Sequence, residues 1–448
     1  MLRYAKLGII FAMLTFTVFL SGCGSEGSDY NKALSGTKEL VGAKVIEDVN
    51  ASVMLQVIRA KIDANATNAF GYKALKITYN TKGQNGEDVV ASGLLVIPSA
   101  TKAYQQYRAS IGQKPFSVSM LCDNHGTIFT NAEAPTNVEV TNGMPDYSLA
   151  VLMTGYAGFA SIFPDYIGYG ESNGVSHPYI LKKASARASL DMIKASMKYL
   201  SDNNIAINYQ LFVSGYSQGG YTAMALSQEI EKSFSSSVNF MGAAPMAGPY
   251  ALEELGDKEL VASNVMVYPA FLAYLADSYS YYYDDIDLQT LVEESNTTMF
   301  HSLFDGSKKN VEIHAALGLT TNGGFGAYTS DKLFKISLID DYQNSQNMGA
   351  VLRDRFSQNS VYNWTPKTKV NLIHCVEDEI IPHNMSQIAY DTFIQNGVSS
   401  SNVKLTSIPT AMIEPQSATN PFVHSRCAPT AYKVALQWFS GIRSGEIK

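Results

Sequence analysis

The chain has 448 residues, of which 46% are hydrophobic and 16% are charged, a composition that excludes a disordered protein and predicts a large folded core. Its length allows a catalytic domain that carries an insertion. The formal net charge is −7 and no long basic run occurs, which excludes nucleic acid as a partner because phosphate binding needs clustered Lys and Arg.

The N-terminus has the pattern of a secretory signal. Arg3 and Lys6 precede an almost wholly apolar run over residues 7–20. That run is shorter than the ~20 residues that a bilayer-spanning helix needs, which argues against a transmembrane anchor.

The sequence Leu20-Ser21-Gly22-Cys23 follows and resembles the lipobox of bacterial lipoproteins. The resemblance implies a lipoprotein signal peptide over residues 1–22, lipidation of Cys23 and a flexible tether over residues 23–37. The protein would then be exported to the cell envelope and anchored to a membrane surface by its lipid. The alternative is an ordinary signal peptide that contains a cysteine by chance.

The next part of the chain, from Lys38 to Phe70, is predicted to be helical in part. Residues 74–79 and 89–98 then form two predicted strands of a hairpin, joined by a turn at residues 83–86. Short apolar strands alternate with amphipathic helices after this hairpin, which predicts an α/β fold with a mostly parallel sheet, helices on both faces and an antiparallel edge. The predicted strands lie at residues 117–121, 159–163, 210–213, 240–244, 370–375 and 403–408, and the predicted helices at residues 184–200, 221–230 and 431–439.

The stretch between the strands at 240–244 and 370–375 is too long for a crossover loop. We predict that residues 249–366 form an inserted cap or lid, here called the predicted cap. It divides the core into a first part, residues 38–248, and a second part, residues 367–448.

Gly215-Tyr216-Ser217-Gln218-Gly219 is a G-x-S-x-G sequence between a predicted strand and a predicted helix. Such a turn must be very tight to expose its serine, and small residues on both sides permit it. We predict that Ser217 is a catalytic nucleophile. The alternative is a glycine-rich turn with an incidental serine.

A serine nucleophile needs a base to take its proton and a carboxylate to orient that base. In the chain order serine, acid, histidine, Asp378 lies in a D-x-x-I-P loop after a strand and His424 follows the last predicted strand, before the closing helix. Glu377 and Glu379 are the rival acids, and we interpret them as solvated neighbours. The sequence thus predicts Ser217, Asp378 and His424 as a catalytic triad.

An acyl-transfer intermediate needs hydrogen-bond donors aimed at its oxyanion. The backbone N–H of Gln218, directly after the nucleophile, is one candidate. The N–H of Thr127, in the loop His125-Gly126-Thr127, is the second. His125 itself either belongs to this site or supports the loop structurally.

These motifs together resemble the α/β-hydrolase superfamily, and most closely its secretory-lipase branch. The resemblance extends over residues 72–439, weakly through the predicted cap, and it includes the segment from Phe163 to Gly170 followed by His177-Pro178-Tyr179. It implies that Asp165, Tyr166 and Tyr169 line the mouth of the active site. The alternative is a turn that buries the two rings.

The cysteines give one further hypothesis. Cys375 replaces a glycine that is common before such acid loops, and a disulfide from Cys375 to Cys427 would join the loops of Asp378 and His424. No pair has the close C-x-x-C spacing of a structural zinc site, so no metal is predicted, and the resemblance implies no cofactor.

The resemblance implies a carboxylic-ester hydrolase of the lipase or esterase type, acting on a small-molecule or lipid ester, with a role in lipid metabolism. The alternative on the same scaffold is a serine peptidase of the aminopeptidase or dipeptidyl-peptidase type, for which the paired acids of the predicted cap could bind a substrate amine. A non-catalytic binding protein is disfavoured, because the serine, acid and histidine are all retained.

Overall fold

The structure is a computed structural model, and it describes residues 39–100, 105–106, 109–110, 112, 117–137, 149–261, 264–318, 328–417 and 420–447. The predicted signal peptide, the tether and Cys23 lie outside these residues. In the described part of the chain, nine strands form one sheet in the order β1-β2-β3-β5-β4-β6-β7-β10-β11, and β8 and β9 pair separately. The strands are β1 Leu40–Val49, β2 Gly71–Lys82, β3 Asp88–Ser99, β4 Val118–Asn124, β5 Ala160–Pro164, β6 Ile207–Tyr216, β7 Asn239–Met246, β8 Val265–Met266, β9 Tyr328–Thr329, β10 Lys369–Cys375 and β11 Val403–Ile408.

The sheet is parallel from β5 to β11 and antiparallel at its other end. Strands β5, β4, β6, β7, β10 and β11 pair in parallel, whereas β1, β2 and β3 pair antiparallel with their neighbours. The predicted hairpin is therefore confirmed, and so is the mostly parallel α/β fold. Because the carboxyl ends of parallel strands meet at one edge, the loops after β4, β6 and β10 lie together there.

Helices cover both faces of this sheet, and their apolar sides bury against the strands. Helices α2 and α3 pack on one face through residues such as Leu190 and Ile230. Helices α1 and α12 pack on the other face through residues such as Ile58 and Phe439. The helices are α1 Ala51–Lys61, α2 Lys182–Asp202, α3 Gln218–Ser233, α4 Leu252–Glu259, α5 Pro269–Tyr282, α6 Leu288–Leu291, α7 Glu294–Leu303, α8 Asn310–Ala316, α9 Ile336–Asn344, α10 Asn347–Asn359, α11 Asn384–Gln395 and α12 Val423–Ser444.

The region before the hairpin holds a strand that the sequence did not reveal. β1 pairs antiparallel with β2 along the edge of the sheet, and only the following helix α1 matches the partial helix predicted there. Val41 and Val45 of β1 are 54% and 51% exposed. An edge strand with exposed valines lacks the apolar alternation by which strands are recognised, because pairing rather than burial holds it.

The closing helix begins earlier than predicted. Helix α12 starts at Val423 and places His424 in its first turn, whereas the sequence indicated a start near Ala431 and put His424 before the helix. Pro429 lies inside α12. Proline removes an N–H and is a usual helix breaker, and for this reason the sequence pattern suggests a later start.

The chain leaves the sheet after β7 and returns at β10, and the elements between them are helices α4 to α10 with the short β8–β9 pair. Tyr279 of α5 and Phe300 of α7 are fully buried in this region, and they belong to a hydrophobic cluster that continues into β10. None of the helices in the described residues combines the length and the apolar character needed to cross a membrane.

Candidate active site

Ser217 lies at a sharp turn between β6 and α3. Its backbone has φ 62° and ψ −121°, a conformation that non-glycine residues rarely adopt and that characterises the serine of a tight strand-to-helix turn. A Cβ atom on Gly219 would overlap the carbonyl oxygen of Asn124, and one on Gly220 would overlap that of Met246. The glycines therefore allow α3 to sit directly against its neighbouring strands.

Asp378 and His424 are in direct contact. Nδ1 of His424 lies 2.6 Å from Oδ2 of Asp378, and both residues are buried. Oδ1 of Asp378 accepts hydrogen bonds from the backbone N–H groups of Ile380 and Ile381, at 3.0 and 2.9 Å. Burial alone would raise the pKa of this carboxyl, but the charge of His424 and the hydrogen bonds from the adjacent imidazoles outweigh it and hold the pKa well below its usual range.

His424 is joined to the turn that carries Ser217. The hydroxyl of Tyr216 donates to the carbonyl oxygen of His424 at 2.6 Å, and the two rings lie 5.0 Å apart. The Nδ1–H of His424 donates to Asp378, which leaves Nε2 as the nitrogen available to a nucleophile.

The two rival acids bond elsewhere. Glu377 is exposed and accepts hydrogen bonds from the backbone N–H and the hydroxyl of Thr410. Oε1 of Glu379 accepts from the backbone N–H of Val423 at 2.8 Å, at the first residue of α12. Among the three acids of this loop, Asp378 is the one bonded to His424.

A second histidine touches the same carboxylate, and sequence reasoning missed it. His374 is fully buried in β10, and its Nε2 lies 3.3 Å from Oδ2 of Asp378 and 2.9 Å from the carbonyl oxygen of Ile381. Its Nδ1 lies 2.8 Å from Oγ of Ser386 in α11. The available signal was the spacing of four residues between His374 and Asp378, because a chain that turns back after a strand brings these positions together.

A disulfide joins the two elements that carry Asp378 and His424. Cys375, the last residue of β10, is bonded to Cys427 in α12, with the Cα atoms 6.1 Å apart. This is the pairing put forward as a hypothesis from the sequence. Cys122 is a free, buried cysteine.

Gln218 and the loop that holds Thr127, the two predicted parts of the oxyanion hole, lie beside Ser217. Gln218 is the first residue of α3, where backbone N–H groups have no acceptor within the helix. A Cβ atom on Gly126 would lie 3.8 Å from Cβ of Ser217, which places the loop after β4 against the serine. Within the part of the chain that the structure describes, the backbone N–H of Thr127 has no hydrogen-bond acceptor.

His125 supports this loop from within. Its Nδ1 lies 2.7 Å from the carbonyl oxygen of Gly126 and its Nε2 lies 3.3 Å from that of Asp165, while its ring packs against that of Tyr166 with the centroids 4.0 Å apart. Burial lowers the pKa of His125 and favours the neutral ring. These contacts agree with the structural role that the sequence left open.

The segment after β5 buries its aromatic rings. Tyr166 and Tyr169 are 3% and 1% exposed, and Asp165 is fully buried, where its carboxylate accepts from Ser92 Oγ at 2.5 Å and from the N–H of Thr136 at 2.9 Å. This arrangement is the buried turn named as the alternative to an active-site mouth. In the described ranges, no three histidine, cysteine or carboxylate side chains are grouped so as to hold a metal ion.

A family model described as secretory lipase matches residues 134–441. The chain belongs to the secretory lipase family. It is therefore a carboxylic-ester hydrolase, and the peptidase alternative is not favoured. Membership of the secretory lipases also indicates an exported protein.

Solved structures resemble this secretory lipase over most of its length. A structure from Legionella pneumophila has a TM-score of 0.72 at 20% identity and covers 90% of this chain and 98% of its own. The rice cell wall degrading esterase LipA from Xanthomonas oryzae has a TM-score of 0.71 at 23% identity, covering 89% of this chain and 97% of its own. Candida antarctica lipase A in its closed state has a TM-score of 0.61 at 14% identity, covering 92% and 84%. At these identities the similarity establishes the fold. No curated protein matches the chain.

Proposed function

We propose that this secretory lipase hydrolyses its ester through an acyl-enzyme on Ser217, with His424 as general base and acid and Asp378 as the carboxylate that orients it. The observation that carries the proposal is the 2.6 Å contact between His424 Nδ1 and Asp378 Oδ2, with His424 bonded through its carbonyl oxygen to Tyr216, the residue before Ser217. Gln218 and Thr127 supply the backbone N–H groups of the oxyanion hole.

In the first step, Oγ of Ser217 attacks the ester carbonyl carbon and its proton passes to Nε2 of His424. The carbonyl oxygen becomes an oxyanion, which the N–H groups of Gln218 and Thr127 stabilise. When the tetrahedral intermediate collapses, His424 returns the proton to the departing alcohol. A water molecule then attacks the acyl-enzyme with the same proton transfers in the same order, which releases the carboxylic acid and restores Ser217.

The test combines turnover with covalent labelling. Hydrolysis of p-nitrophenyl esters, from short to long acyl chains, is measured for the wild type and for Ser217→Ala, and a fluorophosphonate identifies the labelled serine by peptide mass spectrometry. We expect loss of turnover and of label in Ser217→Ala. Ser227→Ala is the matched control, because the hydroxyl of this buried serine of α3 donates to the carbonyl oxygen of Ala223 in its own helix. Retained turnover in Ser217→Ala would refute the assignment, and the chain-length profile distinguishes esterase from lipase.

We further propose that residues 249–366 act as a cap over this site. Contacts between this segment and the surroundings of the triad support the proposal: Tyr274 stacks on Tyr179 with the ring centroids 4.5 Å apart, and Tyr268 meets Phe422, two residues before His424, at 6.1 Å. An aromatic, apolar cover of this kind suits an ester with a hydrophobic acyl group, from a small molecule or a lipid. Replacement of Tyr268 by Ala should raise KM for long-chain esters more than for acetate esters, and equal changes would argue against the cap.

We also propose that the mature protein begins at a lipidated Cys23 and is held at a membrane surface by that lipid. The support is the lipobox-like sequence together with the exported character of the family. Labelling cells with a palmitate analogue should mark the full chain but not a Cys23→Ser variant, which should also leave the membrane fraction. Equal labelling of both would contradict the anchor, whatever the outcome for Ser217.

A further inference from the structure

Three tyrosine hydroxyls from one segment reach the loop that holds Thr127. This loop, residues 125–129, has no regular secondary structure, so no backbone ladder fixes its N–H groups. The hydroxyl of Tyr166 donates to the carbonyl oxygen of His125 at 3.0 Å, and that of Tyr169 donates to the carbonyl oxygen of Ile128 at 2.7 Å. The hydroxyl of Tyr179 lies 2.9 Å from Oγ1 of Thr127 itself.

The same segment also contacts the side chain of Gln218, whose backbone N–H is the other predicted donor of the oxyanion hole. Nε2 of His177 lies 2.8 Å from Nε2 of Gln218, while Nδ1 of His177 lies 2.7 Å from the carbonyl oxygen of Ile167. A carbonyl oxygen can only accept, so Nδ1 carries the proton and Nε2 accepts from the Gln218 amide. Burial lowers the pKa of His177 to about 3, so the imidazole stays neutral at pH values well above 3.

We propose that the segment from Tyr166 to Tyr179 is the positioning element of the oxyanion hole, with Tyr179 holding Thr127 and His177 holding Gln218. None of these side chains needs to touch the substrate. They act through the two residues whose N–H groups would meet the oxyanion, and the proposal rests on the function proposed for Gln218 and Thr127.

The energetic reason is preorganisation. An oxyanion hole stabilises a transition state because its donors are already aimed where charge develops, so a loop that must first be ordered loses that advantage. Four buried side chains of one segment hold both sides of the hole, and three of them bond to successive parts of the same loop. Loss of one of these hydrogen bonds should raise the free energy of the transition state and leave ground-state substrate binding almost unchanged.

Tyr179→Phe tests the proposal, because it removes one hydroxyl and keeps the ring stacked on Tyr274. In the full chain we expect kcat to fall roughly three- to tenfold with KM within about twofold, as for a lost hydrogen bond that matters in the transition state. The inhibition constant of an alkylboronic acid, whose tetrahedral adduct mimics the oxyanion, should rise by the same factor. Tyr72→Phe is the matched control, since this buried tyrosine of β2 donates its hydroxyl to Glu47 of the edge strand β1, and it should leave both quantities unchanged.

A double-mutant cycle with Thr127→Val separates positioning from general damage. If Tyr179 acts through Thr127, the double variant should lose no more than the worse single variant. The proposal would be overturned if the fold-losses in kcat of the two single variants multiplied in the double variant. A Tyr179→Phe variant with unaltered kcat and boronate affinity would also overturn it. Failure of the proposed triad is distinguishable, because Ser217→Ala would then remain active in the same assay.

Discussion

Oδ2 of Asp378 lies within hydrogen-bonding distance of two imidazoles, at 2.6 Å from Nδ1 of His424 and 3.3 Å from Nε2 of His374. With the N–H groups of Ile380 and Ile381 on Oδ1, every side of the carboxylate is occupied. A carboxylate held in this way stays ionised and fixed in direction, as an acid that orients a catalytic histidine requires.

The first prediction concerns His374. His374→Phe removes the donor on Asp378, so we expect kcat to fall roughly tenfold, equivalent to about 1.4 kcal/mol of barrier. His374→Gln, whose amide nitrogen reaches toward the place of Nε2, should restore most of the lost kcat. A His374→Phe variant with a lower Tm but the kcat of the wild type would show that His374 is merely structural.

The second prediction concerns the pH dependence of stability. Burial lowers the pKa of His177 from 6.5 to about 3, so between these values the unfolded chain binds a proton that the folded chain does not. The contribution of this group is fully present above pH 6.5 and is lost as the pH falls toward 3, with a slope approaching about 1.4 kcal/mol per pH unit. His177→Gln should therefore have a shallower decrease in its free energy of unfolding between pH 6.5 and pH 4, measured by urea denaturation. Parallel curves for the two proteins would contradict this assignment.

The third prediction concerns the disulfide. It links residues 52 positions apart, and replacing both Cys375 and Cys427 by Ala should lower the free energy of unfolding by about 2–4 kcal/mol. Because the bridge joins β10 to α12, kcat should also fall. Reductant should destabilise the wild type toward the level of the double variant and leave the double variant unaffected. Equal sensitivity of both proteins to reductant would mean that the bridge contributes nothing.

The fourth prediction concerns the glycine after the serine turn. Gly219→Ala would force a Cβ atom into the carbonyl oxygen of Asn124, so α3 must move away from β4. We expect the free energy of unfolding to fall by several kcal/mol, as for other overlaps in a packed core, and activity to be lost. Gly42→Ala is the control, because a Cβ atom there meets nothing within 4 Å. Thermal melts of the two variants make the comparison, and a normal Tm for Gly219→Ala would count against the tight turn.

The sequence predicted the elements whose buried residues recur periodically, and it predicted the turn at Ser217, where close backbone contacts require glycine. The β2–β3 hairpin and the strand, turn and helix around Ser217 could be located because glycine spacing and apolar alternation are local properties. Edge strand β1 could not be, since its strand character comes from pairing with β2. The early start of α12 was hidden by Pro429, which a purely local rule treats as a helix breaker.

Part of the candidate active site could also be predicted from local sequence patterns. The proposed acid and base follow from chain order, but the bonds of Tyr166, Tyr169 and Tyr179 to loop 125–128 do not. They join segments about 40 to 50 residues apart, and only the packing of β4 beside β5 brings them together. The same holds for His374, because its contact with Asp378 depends on how the loop folds back over the strand end.

The bridge between Cys375 and Cys427 has a consequence for an exported protein that meets foreign proteases. The stretch Glu414–Ser417 is exposed and lies between the two bridged cysteines, at the kind of site where chains are nicked. A cut there separates Asp378 from His424 along the backbone, yet the sulfur–sulfur bond keeps both fragments in one molecule. The nicked enzyme would run as one band on a gel until the sample is reduced, and the bridge would hold the short C-terminal fragment with His424 beside Asp378.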